Sequence, residues 1–335
     1  MKIIVPMAGR GKRMRPHTLT IPKPLLPIAG KPIVQRLVED IASVCQEEIE
    51  EIGFIIGDFG KEVEEHLLKV AEGLNAKGHI FHQEEALGTA HAILCAQEIM
   101  EGKTIVAFAD TLFRADFKLD DSKDGIIWVQ KVEDPSAFGV VQVDEQNHIK
   151  EFIEKPKTFI SDLAIIGIYY FKDGAYLKEH LQYLIDNDIM DKGEYQITDA
   201  LERMKEAGTQ FVPGEVVEWL DCGNKNATVN TNQRVLEHIK EEKGLVAESA
   251  EINNALIVPP CFIGENVKIE NAVVGPHVSI GNDTHILRSV ISNSIIQENT
   301  HISGVNIDNS MVGNHTNLKE DTQSLSIGDY NEWSN

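Results

Sequence analysis

Through about residue 240, short apolar runs alternate with stretches in which apolar residues recur every three or four positions. Strand-length runs of β-branched residues separated by helical periods predict a parallel sheet covered by helices. The predicted strands are Lys2 to Pro6, Ile52 to Ile56, His79 to His82, Thr104 to Ala109, Gly125 to Gln130 and Ala164 to Phe171. Helical periods fill the gaps at Pro32 to Cys45, Lys61 to Glu72, Thr89 to Ile99, Ala175 to Asn187, Ile197 to Ala207 and Asn224 to Glu242. The fold class is α/β, a mostly parallel sheet with flanking helices. Glutamate-rich tracts such as Glu47 to Glu51 read as solvated faces.

From about residue 250 the period changes. Ile257, Ile263, Ile269, Val274, Ile280, Ile286, Ile291, Ile296, Ile302, Ile307, Val312 and Leu318 recur every five or six residues, commonly followed by Gly, Asn or Ser. A turn that buries one aliphatic side chain cannot form a core alone, but a stack of such turns can. The pattern resembles the hexapeptide repeat of left-handed parallel β-helices, three or four coils long, with Asp329 to Trp333 as its cap. Two domains follow, residues 1–243 and 244–335. Hexapeptide solenoids carry acyltransferase sites or mediate oligomer contacts, and without a catalytic histidine context the structural role is the stronger reading.

Composition narrows the function. With 42% hydrophobic and 25% charged residues in 335, the chain is a globular protein with room for a large core. Its net charge of −22 argues against nucleic acid or an anionic membrane as partner. No apolar run approaches the roughly 20 residues of a spanning helix, and Met1 to Met7 is too short for a signal peptide, so a cytoplasmic location is expected. Cys45, Cys95, Cys222 and Cys261 are too scattered for a zinc site or disulfide framework and read as buried thiols. The 12 histidines form no metal-binding motif, and none needs a catalytic role.

Against this acidic background the N-terminus is a local exception. The strand Lys2 to Pro6 runs straight into Met7-Ala8-Gly9-Arg10-Gly11-Lys12-Arg13-Met14-Arg15-Pro16. Glycines let successive amides face one anion, and Arg10, Lys12, Arg13 and Arg15 bring positive charge to the same turn. Polyphosphate is the natural guest. The spacing is neither that of a dinucleotide fingerprint nor that of a P-loop. Asp110 ends the apolar run Thr104 to Ala109, and Asp221 sits between apolar residues and Gly223. Two carboxylates suit Mg²⁺, whose remaining ligands come from substrate phosphates and water.

The string Gly-x-Gly-x-Arg-x-x-Pro followed by Pro22-Lys23-Pro24-Leu25-Leu26-Pro27 resembles the signature of the sugar-1-phosphate nucleotidylyltransferases, with Lys12 where that family usually has threonine. Gln83 and Leu87-Gly88-Thr89-Ala90 match its base-recognition segment, and Ala109-Asp110 its first metal acid. Phe138-Gly139-Val140-Val141 resembles the sugar-contacting turn, Phe152 to Pro156 contains its Glu-Lys-Pro motif, and Trp219 to Gly223 looks like the segment with the second metal acid. The resemblance implies a Rossmann-like fold. It implies that Ala8, Gly9, Gly11, Lys12, Gln83 and Gly88 bind nucleotide, that Gly139, Glu154 and Lys155 bind the sugar phosphate, and that Asp110 and Asp221 hold Mg²⁺. Arg13, Lys23 and Asp110 are the implied catalytic set: Arg13 for pyrophosphate, Lys23 near the α-phosphate.

The implied reaction joins a nucleoside triphosphate and a sugar 1-phosphate by in-line attack, releasing pyrophosphate. Gln83 offers one donor and one acceptor, enough to read a pyrimidine edge. Glucose 1-phosphate with dTTP comes first, UTP second, and mannose 1-phosphate with GTP third. A bifunctional N-acetylhexosamine-phosphate uridylyltransferase and acyltransferase is the enzymatic alternative, and an inactive nucleotide-binding scaffold subunit the non-enzymatic one. A homo-oligomer is expected from the flat-sided solenoid.

Overall fold

The computed structural model describes residues 1–9 and 11–320. Arg10 and the segment Asp329 to Trp333 lie outside the described residues. Contacts divide the chain into two compact units. One comprises Met1–Leu26 and Lys31–Ala227, the other Pro27–Gly30 and the chain from Thr228 onward.

The first unit is a mixed nine-stranded sheet with a parallel centre. Strands β1 (Lys2–Pro6), β2 (Glu51–Ile56), β3 (Lys77–His82) and β4 (Thr104–Ala107) run parallel in the order β4-β1-β2-β3. Ile3, Ile4 and Val5 are fully buried, as a central strand covered on both faces requires. A short ladder pairs β5 (Thr111–Arg114) antiparallel with β11 (Glu218–Asp221). Beyond β4 the sheet turns antiparallel through β9 (Leu163–Phe171), which also pairs with β6 (Gly125–Lys131) and β7 (Gly139–Val143). Strand β8 (Ile149–Glu154) closes that edge on β7, and β10 (Phe211–Glu215) runs parallel to β6.

Helices α1 (Ile33–Val44), α2 (Lys61–Gly73), α3 (Thr89–Leu94), α4 (Gly174–Asp186) and α5 (Ile197–Glu206) cover the sheet. In α1 the buried set Ile33, Val34, Leu37, Val38, Ile41 and Val44 follows the 3.6-residue period. Each such side chain contributes roughly 1.5–3 kcal/mol by leaving water. Asp173 caps α4, its carboxylate accepting from the Ala175 and Tyr176 amides. The period over Thr89 to Ile99 predicts one helix. The structure ends α3 at Leu94 and resumes with a 3₁₀ turn at Gln97–Ile99.

The second unit carries most of α6 (Lys225–Ile239) and the solenoid. Three parallel sheets of five, four and four strands wrap one aliphatic core, giving a left-handed β-helix. Equivalent residues on one face lie 17 apart from Glu251 to Lys268 to His285, then 16 apart to His301 and Asn317. The five-residue steps in the sequence are therefore shortened sides of coils, with the core register preserved. All twelve predicted aliphatic positions pack in or against that core. The polar residues between them have a structural reason as well: Asn254, Asn266, Asn271, Asp283, Asn293, Asn299 and Asn309 all adopt positive φ at corners. Asn and Asp tolerate that conformation best among residues with side chains.

Candidate functional site

A cavity of about 420 Å³ opens where β1 and β4 end. That is the end of a parallel sheet where strand-following loops converge on ligands. Ala8, Gly9, Gly11, Lys12, Arg13, Lys23, Gln83, Gly88 and Asp110 all line it. The first loop owes its shape to Gly11, whose φ of +56° is left-handed and whose missing Cβ would sit 3.0 Å from that of Lys23. The Gly11 carbonyl accepts from the Met14 amide at 2.9 Å and the Thr18 hydroxyl at 2.8 Å. A turn closed this way keeps exposed Lys12 and Arg13 at the cavity rim while Met14 is buried beneath.

Lys23 is only 8% exposed, and its ammonium donates to Asp110 Oδ2 at 3.1 Å. A buried cation needs such a partner. Asp110 stands in the turn between β4 and β5, and the register of the β5–β11 ladder pairs Thr111 with Asp221. The Cys222 amide donates to the Asp110 carbonyl at 3.0 Å. One short ladder thus brings together two acids 111 residues apart in sequence. Burial raises the pKa of Asp221, the Gly223 amide at 2.8 Å opposes this, Asp110 raises it again, and Lys23 and Arg13 lower it. The four side chains share one electrostatic neighbourhood.

Two carboxylates are a donor set that fits a divalent cation. Burial first and the charge of Asp110 after it disfavour ionisation of Asp221, a cost that a bound divalent cation would relieve. Among the described residues no group of three or more His, Cys, Asp or Glu could hold a metal. A cation held by two carboxylates would take its remaining ligands from water and bound oxygens.

Opposite the glycine loop, Gln83 follows β3 with its amide N–H on the Ile56 carbonyl at 2.9 Å. The Leu87 to Ala90 turn is bound to a distant segment: Tyr195 N–H donates to Leu87 at 2.8 Å, and Ala90 N–H donates to Tyr195 at 2.9 Å. The Ile197 amide donates to Thr89 Oγ1 at 2.9 Å. Gly88 has φ of +113°, and a Cβ there would meet the Tyr195 carbonyl oxygen at 2.4 Å. The sequence reading gives Gln83 a free donor and a free acceptor. The structure instead commits its Nε2, which lies 3.2 Å from the Gly88 carbonyl and 3.2 Å from His91 Nδ1. The carbonyl oxygen is left for a ligand.

Gly139, Glu154 and Lys155 do not line this cavity. They form a second group, with Gly139 opposite Glu154 in the β7–β8 register and Lys155 Nζ 3.1 Å from Glu154 Oε1. The phenol of buried Tyr169 feels both groups: burial raises its pKa first, then the charges of Glu154 and Asp110. Trp219 stacks edge-on to Phe138 at 4.8 Å and donates from Nε1 to Thr111 Oγ1 at 2.6 Å. Phe108, Glu194 and Gly223 also line the cavity although sequence reasoning assigned them no contact. Glu194 and Gly223 lie inside segments that resemble the family, Gly193 to Asp199 and Trp219 to Gly223, and Phe108 lies beside Ala109-Asp110, but none of the three carries a residue-level signal of contact.

The chain matches the nucleotidyl transferase family model over residues 2–238. It is 32% identical over 267 residues to the low-salt glycan biosynthesis nucleotidyltransferase Agl11 of Haloferax volcanii, covering 76% of this chain and 72% of that one. It is 30% identical over 289 residues to a glucose-1-phosphate thymidylyltransferase of Streptomyces antibioticus, covering 79% and 78%. The bifunctional protein GlmU of Methanococcus aeolicus is 32% identical over 262 residues, but the match spans 77% of this chain and only 60% of GlmU. A crystal structure of UDP-glucose pyrophosphorylase complexed with UDP-glucose superposes with a TM-score of 0.60 at 24% identity, over 71% of this chain and 98% of that chain, a likeness of fold. The family match spans well over half of the sequence, and the chain belongs to the nucleotidyl transferase family.

Proposed function

We propose that the protein joins a nucleoside triphosphate, dTTP or UTP, to a sugar 1-phosphate, glucose 1-phosphate first, giving the nucleotide sugar and pyrophosphate. The observation that carries this reading is the pairing of buried Lys23 with half-exposed Asp110 on a cavity that Arg13 and a glycine loop also line, with Asp221 electrostatically coupled to all three side chains from just outside that lining. The nucleophile is already an anionic phosphate, so no general base is required. The protein's task is to hold two mutually repelling anions in line and to neutralise the leaving group.

In this reading the amides of Gly9 and Gly11 and the side chains of Lys12 and Arg13 hold the β- and γ-phosphates, and Arg13 takes the departing pyrophosphate. Lys23, fixed by Asp110, counters charge at the α-phosphate. Gln83 and Gly88 hold the base. Glu154 accepts from sugar hydroxyls while Lys155 holds the sugar's phosphate. Mg²⁺ held by Asp110 and Asp221 would supply charge neutralisation at the triphosphate. The chemistry is assigned to residues 1–243. The solenoid, residues 244–335, is assigned a structural role in a homo-oligomer.

The test is a pyrophosphate-release screen of the nucleoside triphosphates against a panel of sugar 1-phosphates with Mg²⁺. Turnover confined to one thymine or uracil nucleotide and a hexose 1-phosphate supports the reading, and silence across the panel overturns it. The GlmU likeness favours a second reading, uridylyl transfer to an amino-sugar phosphate with acyl transfer on the solenoid. Release of free thiol from acetyl-CoA in the presence of an amino-sugar 1-phosphate separates the two.

A further inference from the structure

We infer that His91 is a positioning residue that turns Gln83 into a pure hydrogen-bond acceptor, restricting the site to bases that carry a proton on the Watson–Crick ring nitrogen. The inference rests on the nucleotide reading above and names its selectivity.

A primary amide has two N–H groups and one carbonyl oxygen. The Gln83 Nε2 has two acceptors within reach, the Gly88 carbonyl and His91 Nδ1, each at 3.2 Å. Both N–H groups are therefore engaged inside the protein. Gln83 still lines the cavity, so the atom it offers there is Oε1. The Gly88 carbonyl alone would hold one N–H and leave the other able to swing toward a ligand. His91 takes that second donor.

His91 can do so only with a bare Nδ1, its ring proton on Nε2. The ring comes from the first turn of α3, off the cavity wall, and acts on a ligand only through Gln83. Two features hold the geometry. The Gln83 backbone is tied to the end of β2, and α3 is tied through Thr89 and Ala90 to Tyr195 and Ile197.

An acceptor-only reader set against the ring nitrogen of the pairing edge, with the exocyclic amines of cytosine and adenine out of its reach, sorts bases by whether that nitrogen carries a proton. Uracil and thymine present N3–H, and guanine presents N1–H. Cytosine N3 and adenine N1 are acceptors, which would face Oε1 lone pair to lone pair. Cavity shape then distinguishes among the protonated-edge bases, while the amide rejects the other two. This explains a histidine that the sequence left without a task.

The experiment measures kcat/KM for UTP and dTTP against CTP in the full-length protein, with the sugar 1-phosphate that supports turnover. Wild type should favour the uracil or thymine nucleotide over CTP by at least about 100-fold, as sites built around one buried hydrogen-bonding group do. His91→Phe keeps a ring but removes the acceptor, and should shrink that ratio about tenfold, chiefly by improving CTP. His91→Asn returns an acceptor and should restore the ratio. A merely structural role would lower both rates together and leave the ratio unchanged. His91→Leu, with a melting curve for each variant, serves if the phenylalanine protein does not fold. An unchanged ratio in an active His91→Phe or His91→Leu protein overturns the His91 assignment alone. A wild type that uses CTP as well as UTP overturns the acceptor-only reader, and a wild type inert with every nucleotide overturns the parent function as well.

Discussion

Asp110 faces in two directions: it satisfies a buried ammonium, and it presses on the ionisation of Asp221. Asp110→Asn keeps the shape but removes the charge that pairs Lys23 and that the proposed function assigns to a cation. Its kcat should fall by about 10²–10³, with the Mg²⁺ requirement shifted to higher concentration, measured by pyrophosphate release across a magnesium titration. Arg13 is exposed and at the rim. Arg13→Ala should therefore lose about 10²-fold in kcat while leaving the melting temperature unchanged. A parallel fall in both would assign Arg13 to folding instead. At this scale the loop chemistry was legible because glycines and arginines state their purpose locally. The Gln83 amide was not: its donor capacity is consumed by Gly88 and His91, and no composition or period reports a hydrogen bond made by folding.

Between residues and the whole, elements decide what a motif can touch. The antiparallel pairing of β5 and β11 places Asp110 and Asp221 in one neighbourhood, yet each strand has four residues and they are separated by a hundred others. Such a pairing leaves no trace in hydrophobic periodicity, which is why the two acids could be matched from family resemblance but not placed by pattern. The Leu87 to Ala90 turn is a similar case. A methyl group at Gly88 would strike the Tyr195 backbone. Gly88→Ala should push the turn off Tyr195, raise the nucleotide KM at least about tenfold and lower the melting temperature by a few degrees, read by steady-state kinetics and calorimetry.

Helix α1 supplies a test by pH. Burial pushes Asp40 up to about 7, an effect that Arg36 opposes and Glu39 reinforces, from an ordinary value of 3.8. Between those values the folded chain holds a proton that the unfolded chain has released, so stability falls as pH rises through the interval. The cost is complete above about 7 and absent below 3.8. Asp40→Asn removes it, so the variant's advantage in melting temperature should grow from pH 4 to pH 8 and then level. A constant advantage would mean that Asp40 ionises freely on the surface.

At the scale of the molecule, the two periods of the sequence correspond to two kinds of core. The first unit buries its largest side chains, Trp128, Tyr170, Phe54, Phe171 and Phe211, around a twisted mixed sheet. The solenoid buries Ile263, Ile269, Ile280, Ile286 and their neighbours one coil at a time. The repeat was plain in the sequence because each coil restates it. The joining of Pro27–Gly30 to the second unit was not, since four residues near the N-terminus carry no repeat. Every residue lining the cavity belongs to the first unit. Chemistry and solenoid stability should therefore separate. Ile280 is fully buried in the repeat core, and Ile280→Ala should destabilise the solenoid by about 2–5 kcal/mol through lost transfer energy and a residual cavity. Because a coil leans mainly on its nearest neighbours, that loss should lower and broaden the solenoid's calorimetric transition. Pyrophosphate release, assayed well below that transition, should stay within about twofold of wild type. If kcat falls with the solenoid's melting temperature, the second unit helps hold the catalytic loops, and its assignment as a purely structural stack is wrong.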